Sequence, residues 1–216
     1  MGVLAIQGSS RINGNSNVLL EAALSKASEL GYTTELVHLS ALSFRGCRSC
    51  FSCKLEQEPW NKNHACAIQD ELTPLLQKAA HADALLIASP IYFGSLTADV
   101  HAFLERLWFP ANVYDMAHSS LWSQPIPTGF FITMNHTKPE DYINLLQNVR
   151  NFNSRIIGPT EFLIVADTCQ FANYEQYHAP LFDAKHKQER HAELTTIECK
   201  RAAIFTEKLL CKGVNY

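Results

Sequence analysis

The chain has 216 residues, 47% of them apolar, and 18 Lys plus Arg set against 21 Asp plus Glu give a formal charge of −3. That length fits a single domain, 1–216, with apolar residues enough for a sizeable core. The near-neutral balance without a basic run excludes nucleic acid and anionic membrane surfaces as expected partners, and no apolar stretch approaches the ~20 residues needed to cross a bilayer.

The N-terminus enters a strand-like run without a basic region, so no signal peptide is expected. Seven cysteines are present. An odd number without an export signal points to a reducing, cytoplasmic setting and to thiol, metal or redox chemistry rather than structural disulfides.

Val3 to Gln7 reads as the first strand. Gly8-Ser9-Ser10-Arg11-Ile12-Asn13-Gly14-Asn15-Ser16-Asn17 follows it, and from Ser16 to Leu30 the apolar residues recur at helical spacing, with Gly31 placed as a C-cap. A strand turning through small polar residues into a helix leaves backbone N–H groups free at the positive end of the helix dipole. Ser9, Ser10, Ser16, Asn15 and Asn17 add donors, and Arg11 adds charge. There is no Gly-Lys-Ser/Thr and no G-x-G-x-x-G, so an ATP-type loop and the dinucleotide fingerprint are both excluded. Hydroxyl-rich loops suit a terminal monophosphate with three acceptor oxygens. The competing reading is a turn and N-cap without a ligand.

Thr33 to Leu39 alternates polar and apolar residues, as an edge strand does. Ala84 to Ala88, Gly129 to Thr133 and Glu161 to Val165 read, like the first run, as strands buried on both faces. Helical patterns cover Asp70 to His81, Thr97 to Leu107, Pro139 to Arg155 and His186 to Leu210. Trp108-Phe109-Pro110 ends in a helix breaker and reads as core or subunit interface. This alternation predicts an α/β, doubly wound, five-stranded parallel sheet in the order 2-1-3-4-5, with a ligand at the carboxyl ends of strands 1 and 3.

Two loops exceed what connection requires. The segment 45–69 holds four cysteines: Cys47, Cys50 and Cys53 in C-x2-C-x2-C spacing, then Cys66. That rhythm lets one loop wrap an iron–sulfur cube, with Cys66 or His64 as fourth ligand. Zinc, free redox thiols near Arg45 and Arg48, and packing alone are the other readings. The segment 168–185 is rich in aromatic residues, which makes it a candidate subunit interface. Cys169, Cys199 and Cys211 read as isolated thiols, and the histidines show no metal-binding spacing.

After the third strand comes Ser89-Pro90-Ile91-Tyr92-Phe93-Gly94-Ser95-Leu96. Pro90 stiffens the turn, Tyr92 and Phe93 bring flat apolar surface, and Gly94 permits close backbone approach. A planar ring with polar edges suits such a wall; a crossover loop without a ligand is the alternative.

Gly8 to Ser16, the triad Cys47, Cys50 and Cys53, Ser89 to Ser95 and the helix running through Glu105-Arg106 together resemble the NADPH-dependent FMN reductase group of flavodoxin-like proteins, and within it the iron–sulfur flavoproteins. The resemblance covers about the first half of the chain. It implies FMN, with Ser9, Arg11, Asn15, Ser16 and Asn17 on the phosphate and Pro90, Ile91, Tyr92, Phe93 and Gly94 along the isoalloxazine ring. It also implies a contact loop after the fourth strand, here Thr133 to Thr137, where the small Gly/Ser pattern is missing and His136 either reaches the ring edge or faces solvent. The implied function is an FMN-dependent NAD(P)H oxidoreductase passing electrons to a quinone, a flavin or a redox protein, with FMN carrying the chemistry and no side chain acting as catalyst. A homodimer and a 4Fe-4S cluster on Cys47, Cys50 and Cys53 belong to the same resemblance; Cys66, which would be the fourth ligand, follows a long insert, Lys54 to Ala65, that breaks the family spacing. The alternatives are an electron carrier or redox sensor without nicotinamide turnover, and a relative without flavin in which zinc pins the cysteine loop.

Overall fold

A computed structural model describes residues 2–55, 65–122 and 124–212. Its strands are β1 (Gly2–Gln7), β2 (Thr33–His38), β3 (Ala84–Pro90), β4 (Thr128–Thr133) and β5 (Thr160–Val165), joined in one parallel sheet of order β2-β1-β3-β4-β5. The helices are α1 (Asn15–Glu29), α2 (Thr73–Ala79), α3 (Ala98–Ala111), α4 (Ile143–Ile156), α5 (Ala184–Glu193) and α6 (Cys199–Lys212). The predicted doubly wound, flavodoxin-like architecture and its strand order are what the structure shows.

Parallel pairing sets the strands in register. Val37 lies beside Ile6, Ile6 beside Ile87, Ile87 beside Phe130 and Phe130 beside Phe162, so one apolar row crosses the whole sheet. Because side chains alternate along each strand, two cores result. Leu4, Ile6, Leu85, Ile87, Phe130 and Ile132 pack against α2, α3 and α4. Val3, Ala5, Leu86, Ala88, Phe131 and Val165 pack against Leu19, Leu20 and Ala23 of α1 and Ala202, Leu209 and Leu210 of α6. In-register strands also place the carboxyl ends of β1, β3, β4 and β5 along one rim of the sheet, where their loops meet.

Several boundaries differ from the sequence reading. β5 is an edge strand with Glu161 exposed, so it is not buried on both faces. α3 continues through Pro110 to Ala111. The helix ends one residue beyond this proline, and the ammonium of Lys54 donates to the terminal carbonyls of Phe109, Pro110 and Asn112. Trp108 is half-buried and packs against the core: its Nε1–H donates to Asn153 Oδ1 at 2.8 Å, and its ring stacks on the exposed Phe152. The segment beginning at Pro139 is first a short 3-10 turn, Pro139–Tyr142, and only then α4. A π-helical turn, Leu194–Glu198, joins α5 to α6. No helix among the described residues is long and apolar enough to span a membrane.

Candidate functional site: a cavity between the strand-end loops

The loop after β1 is built from its own short-range bonds. Gln7 Oε1 accepts from the Ser9 amide at 3.1 Å, and Ser9 Oγ accepts from the Arg11 amide at 3.2 Å. Gly14 ends the loop as the extended N-cap of α1, with no acidic residue in the first helical turn. The amides of Asn17 and Val18 donate to the N-cap carbonyl of Gly14, which leaves those of Asn15 and Ser16 facing the loop with no intrahelical acceptor and no competing anion. Ser16, buried, shares a 2.8 Å hydrogen bond with Thr133 Oγ1 at the end of β4.

Gly8 joins this loop to the next one. Its N–H donates to Ala88 O at 2.8 Å, and its carbonyl accepts from Thr97 Oγ1 at 2.8 Å. A Cβ at Gly8 would stand 2.0 Å from Val100 Cγ2, so only glycine lets β1 run this close to α3. Thr97 is the N-cap of α3, and its amide donates to Ser89 Oγ. The chain between β3 and α3 makes a tight turn: Tyr92 and Ser95 exchange both backbone hydrogen bonds, and Phe93 and Gly94 both have positive φ.

A cavity of about 570 Å³ opens between these loops. Ser9, Arg11, Asn15 and Ser16 line it on one side and Pro90, Ile91 and Tyr92 on the other. Three of the sequence-derived residues do not line it. Asn17 is turned along α1, where its amide donates to Glu21 at 2.7 Å. Phe93 points wholly into solvent from the apex of its turn, and Gly94 sits beside it. His136 also stays outside the cavity, exposed and paired with Asp141 at 2.6 Å.

Thr133, Met134 and Asn135, from the contact loop that the resemblance implies after the fourth strand, line the cavity as well. The sequence reading missed the rest of the wall, Thr168 to Ala172 from the loop after β5 and Gln188 and His191 from α5. The 168–185 segment did carry a signal in its aromatic content. Those rings pack on each other, Phe171 on Tyr177 with centroids 4.0 Å apart and Tyr174 edge-on to Phe171 and Phe182. Gln188 and His191 carried no signal beyond their spacing of three on an amphipathic helix.

α5 is fastened over the strand ends by charge. Lys187, buried, donates to Asp167 Oδ1 at 2.5 Å and to Asn135 O at 3.1 Å, and His186 Nε2 meets Asp167 Oδ2 at 2.5 Å. Burial by itself would raise the Asp167 carboxyl, but Lys187 and His186 outweigh it and hold it below the usual carboxylate range.

The cysteines form a second place of interest. Cys47, Cys50, Cys53 and Cys66 line one small cavity of about 10 Å³ together with Glu105 and Arg106. The loop is pinned to α3, where Glu105 Oε2 accepts from the Cys47 amide at 3.0 Å. Ser52, through its amide and hydroxyl, and Arg48 hold the exposed Cys50 thiol below its ordinary range, while burial pushes Cys53 up. Arg106 is fully buried and ion-paired to Asp70 at 2.5 Å, and its Nε–H finds no acceptor among the described residues. Four thiols in one cavity are a donor set that suits a soft metal or an iron–sulfur group. As they stand, no three His, Cys, Asp or Glu side chains among the described residues have metal-binding geometry. His64, the other ligand candidate, lies outside the described residues.

An open parallel sheet with a phosphate-type loop at its topological switch point defines a flavodoxin-like α/β protein. The sequence profile described as NADPH-dependent FMN reductase matches residues 1–123, and the chain belongs to that family. It is 33% identical over 106 residues to an iron–sulfur flavoprotein of Methanocaldococcus jannaschii, covering 49% of this chain and 51% of that one. The chain thus spans about half the length of the curated relatives it matches. Among solved structures, it is similar to an NAD(P)H:quinone oxidoreductase from Methanothermobacter marburgensis, at 16% identity and TM-score 0.60, covering 92% of this chain and 97% of that one. It is also similar to an FMN-dependent NADH-azoreductase from Bacillus anthracis in complex with FMN, at 12% identity and TM-score 0.62, covering 94% and 100%. These two likenesses are likenesses of fold.

Proposed function

We propose that this protein is an FMN-dependent NAD(P)H oxidoreductase that passes electrons to a small-molecule acceptor such as a quinone. The observation that carries the reading is the 570 Å³ cavity between a hydroxyl-rich helix N-terminus and the stiff turn at Pro90 to Tyr92. The family match and the redox flavoenzymes that share the fold support it. Bound FMN would supply hydride acceptance from the nicotinamide and electron delivery to the acceptor. The chain's own residues bind and orient. First-turn amides of α1, Ser9 and Ser16 receive the phosphate, Pro90, Ile91 and Tyr92 back the ring, and Met134 and Asn135 close the far side. Of the sequence-derived set, Asn17, Phe93 and Gly94 are left out, because none of them lines the cavity.

A finer part of the reading concerns the thiols. Cys47, Cys50, Cys53 and Cys66 would hold a 4Fe-4S cluster, which would supply single-electron relay to an outside partner. Their convergence on one cavity and the relatives named as iron–sulfur flavoproteins support this. All seven cysteines are free, which supports a reducing, cytoplasmic location. Self-association completes the reading and is checked by light scattering.

The test is anaerobic. Protein reconstituted with FMN is mixed with NADPH and then with a quinone, and flavin absorbance is followed. Bleaching by NADPH and recovery with quinone are expected. A preparation that takes up no FMN, or flavin that stays oxidised through prolonged incubation with NADH and NADPH, would refute the proposal. Iron and sulfide assays on anaerobically prepared protein test the cysteine part separately.

A further inference from the structure

Arg11 and Asn15 sit at the phosphate end of the cavity, yet both donate to protein. Arg11 Nη1 donates to the carbonyl of Gln170 at 2.5 Å, and Asn15 Nδ2 to the carbonyl of Cys169 at 2.9 Å. Both acceptors lie in the segment after β5, beyond the residues the family profile matches. That segment is held from every side. The Thr168 amide donates to Met134 O at 2.9 Å, and Asn135 Nδ2 donates to Gln170 Oε1 at 3.0 Å. The Gln170 amide donates to the hydroxyl of buried Tyr174 at 2.9 Å. Phe171 is braced by its stack on Tyr177. Residues 168–172 thus form a strap from the end of β5 to the loop after β1, and they line the cavity together with the β1 and β3 loops.

The charges of such a strap pose a problem. The carbonyl oxygens of Cys169 and Gln170 are directed at the loop that would receive a phosphate, and a carbonyl facing an anion repels it. A donor placed between them removes the conflict. Arg11 and Asn15 are those donors. We propose that Arg11 and Asn15 are positioning residues that fasten the 168–172 strap over the flavin, so that they retain the ring portion of the ligand as well as its phosphate end. The proposal rests on the FMN reading above and gives these two side chains a role different from the phosphate contact inferred from sequence. The phosphate is then left to the first-turn amides, Ser9 and Ser16.

FMN and riboflavin separate the two roles, because riboflavin has the ring without the phosphate. Dissociation constants for both are measured by flavin fluorescence quenching on wild type, Arg11→Ala, Asn15→Ala and Tyr174→Phe. Tyr174→Phe removes the acceptor of the Gln170 amide without touching the phosphate loop, and it keeps the test decisive should a loop variant fold poorly. Loss of one such bond weakens binding about 2- to 10-fold. The strap predicts that riboflavin binding weakens by that factor in all three variants, with FMN weakened at least as much in Arg11→Ala and Asn15→Ala because the bared carbonyls of Gln170 and Cys169 then face its phosphate. Riboflavin affinity unchanged in Arg11→Ala and Asn15→Ala while FMN affinity falls would overturn it, as would Tyr174→Phe binding both flavins like wild type. Wild-type protein that binds neither flavin would instead sink the FMN reading, and the strap with it.

Discussion

Asp167→Asn isolates one charge at the joint that seats α5. Asp167 has φ +58, a left-handed conformation that Asn tolerates nearly as well as Asp, so the backbone loses little. What disappears is the carboxylate partner of Lys187, whose side chain is only 4% exposed. Removing one member of a buried pair costs about 3–5 kcal/mol. Asp167 is itself 16% exposed and Lys187 keeps its bond to Asn135 O, so the cost falls to or somewhat below that lower end, about 2–3 kcal/mol. For a chain of this size that lowers Tm by roughly 5–10 °C. The pH dependence is the sharper test. A carboxyl depressed in the folded state contributes stability that is fully present above its unfolded pKa of about 3.9, and that is lost as pH falls through the folded value. Urea unfolding followed by circular dichroism should show the full gap between wild type and variant from about pH 7 down to about pH 5, and a shrinking gap below about pH 4. A variant within about 0.5 kcal/mol of wild type at neutral pH, or a gap that stays constant into strong acid, would refute the assignment of stability to this carboxylate.

Three further outcomes are expected. Gly8→Ala forces a Cβ to 2.0 Å from Val100 Cγ2 and 2.8 Å from Ala88 O, so it should cost about 3 kcal/mol, the upper end of overpacking, and show as a lowered Tm together with weakened flavin binding. Asp70→Asn leaves the Arg106 guanidinium, whose side chain is 0% exposed, without its carboxylate, and denaturant titration should record a loss of about 3–5 kcal/mol. Ser16→Ala removes a hydroxyl that bonds Thr133 and faces the phosphate end of the cavity; FMN should bind roughly tenfold more weakly while riboflavin changes little, as read by fluorescence quenching.

The layout of the sheet was legible because it depends on local pattern. Runs such as Leu85-Leu86-Ile87 are apolar on every residue only when both faces are covered, and that is the mark of a central parallel strand. The loop at Gly8 to Asn17 was legible for a similar reason, as the turn and N-cap that small polar residues make between a strand and a helix. Which side chains turn into the cavity was not legible. Asn15 and Asn17 are two residues apart and chemically identical, yet helical rotation sends one to the strap and the other along the helix to Glu21. Phe93 looked like a ring contact, but the positive φ of a tight turn throws it outward.

The sequence by itself determined the parallel sheet, its order, and the two strand-end loops that line the cavity, since each follows from residue pattern within a few positions. Only tertiary structure decided that the wall is completed by Thr168 to Ala172 and by Gln188 and His191, more than 150 residues from the loop they face, and that four thiols gather beside Arg106. The physical reason is that such contacts are selected by the packing of whole elements, and no local propensity encodes which carbonyl a distant arginine will find.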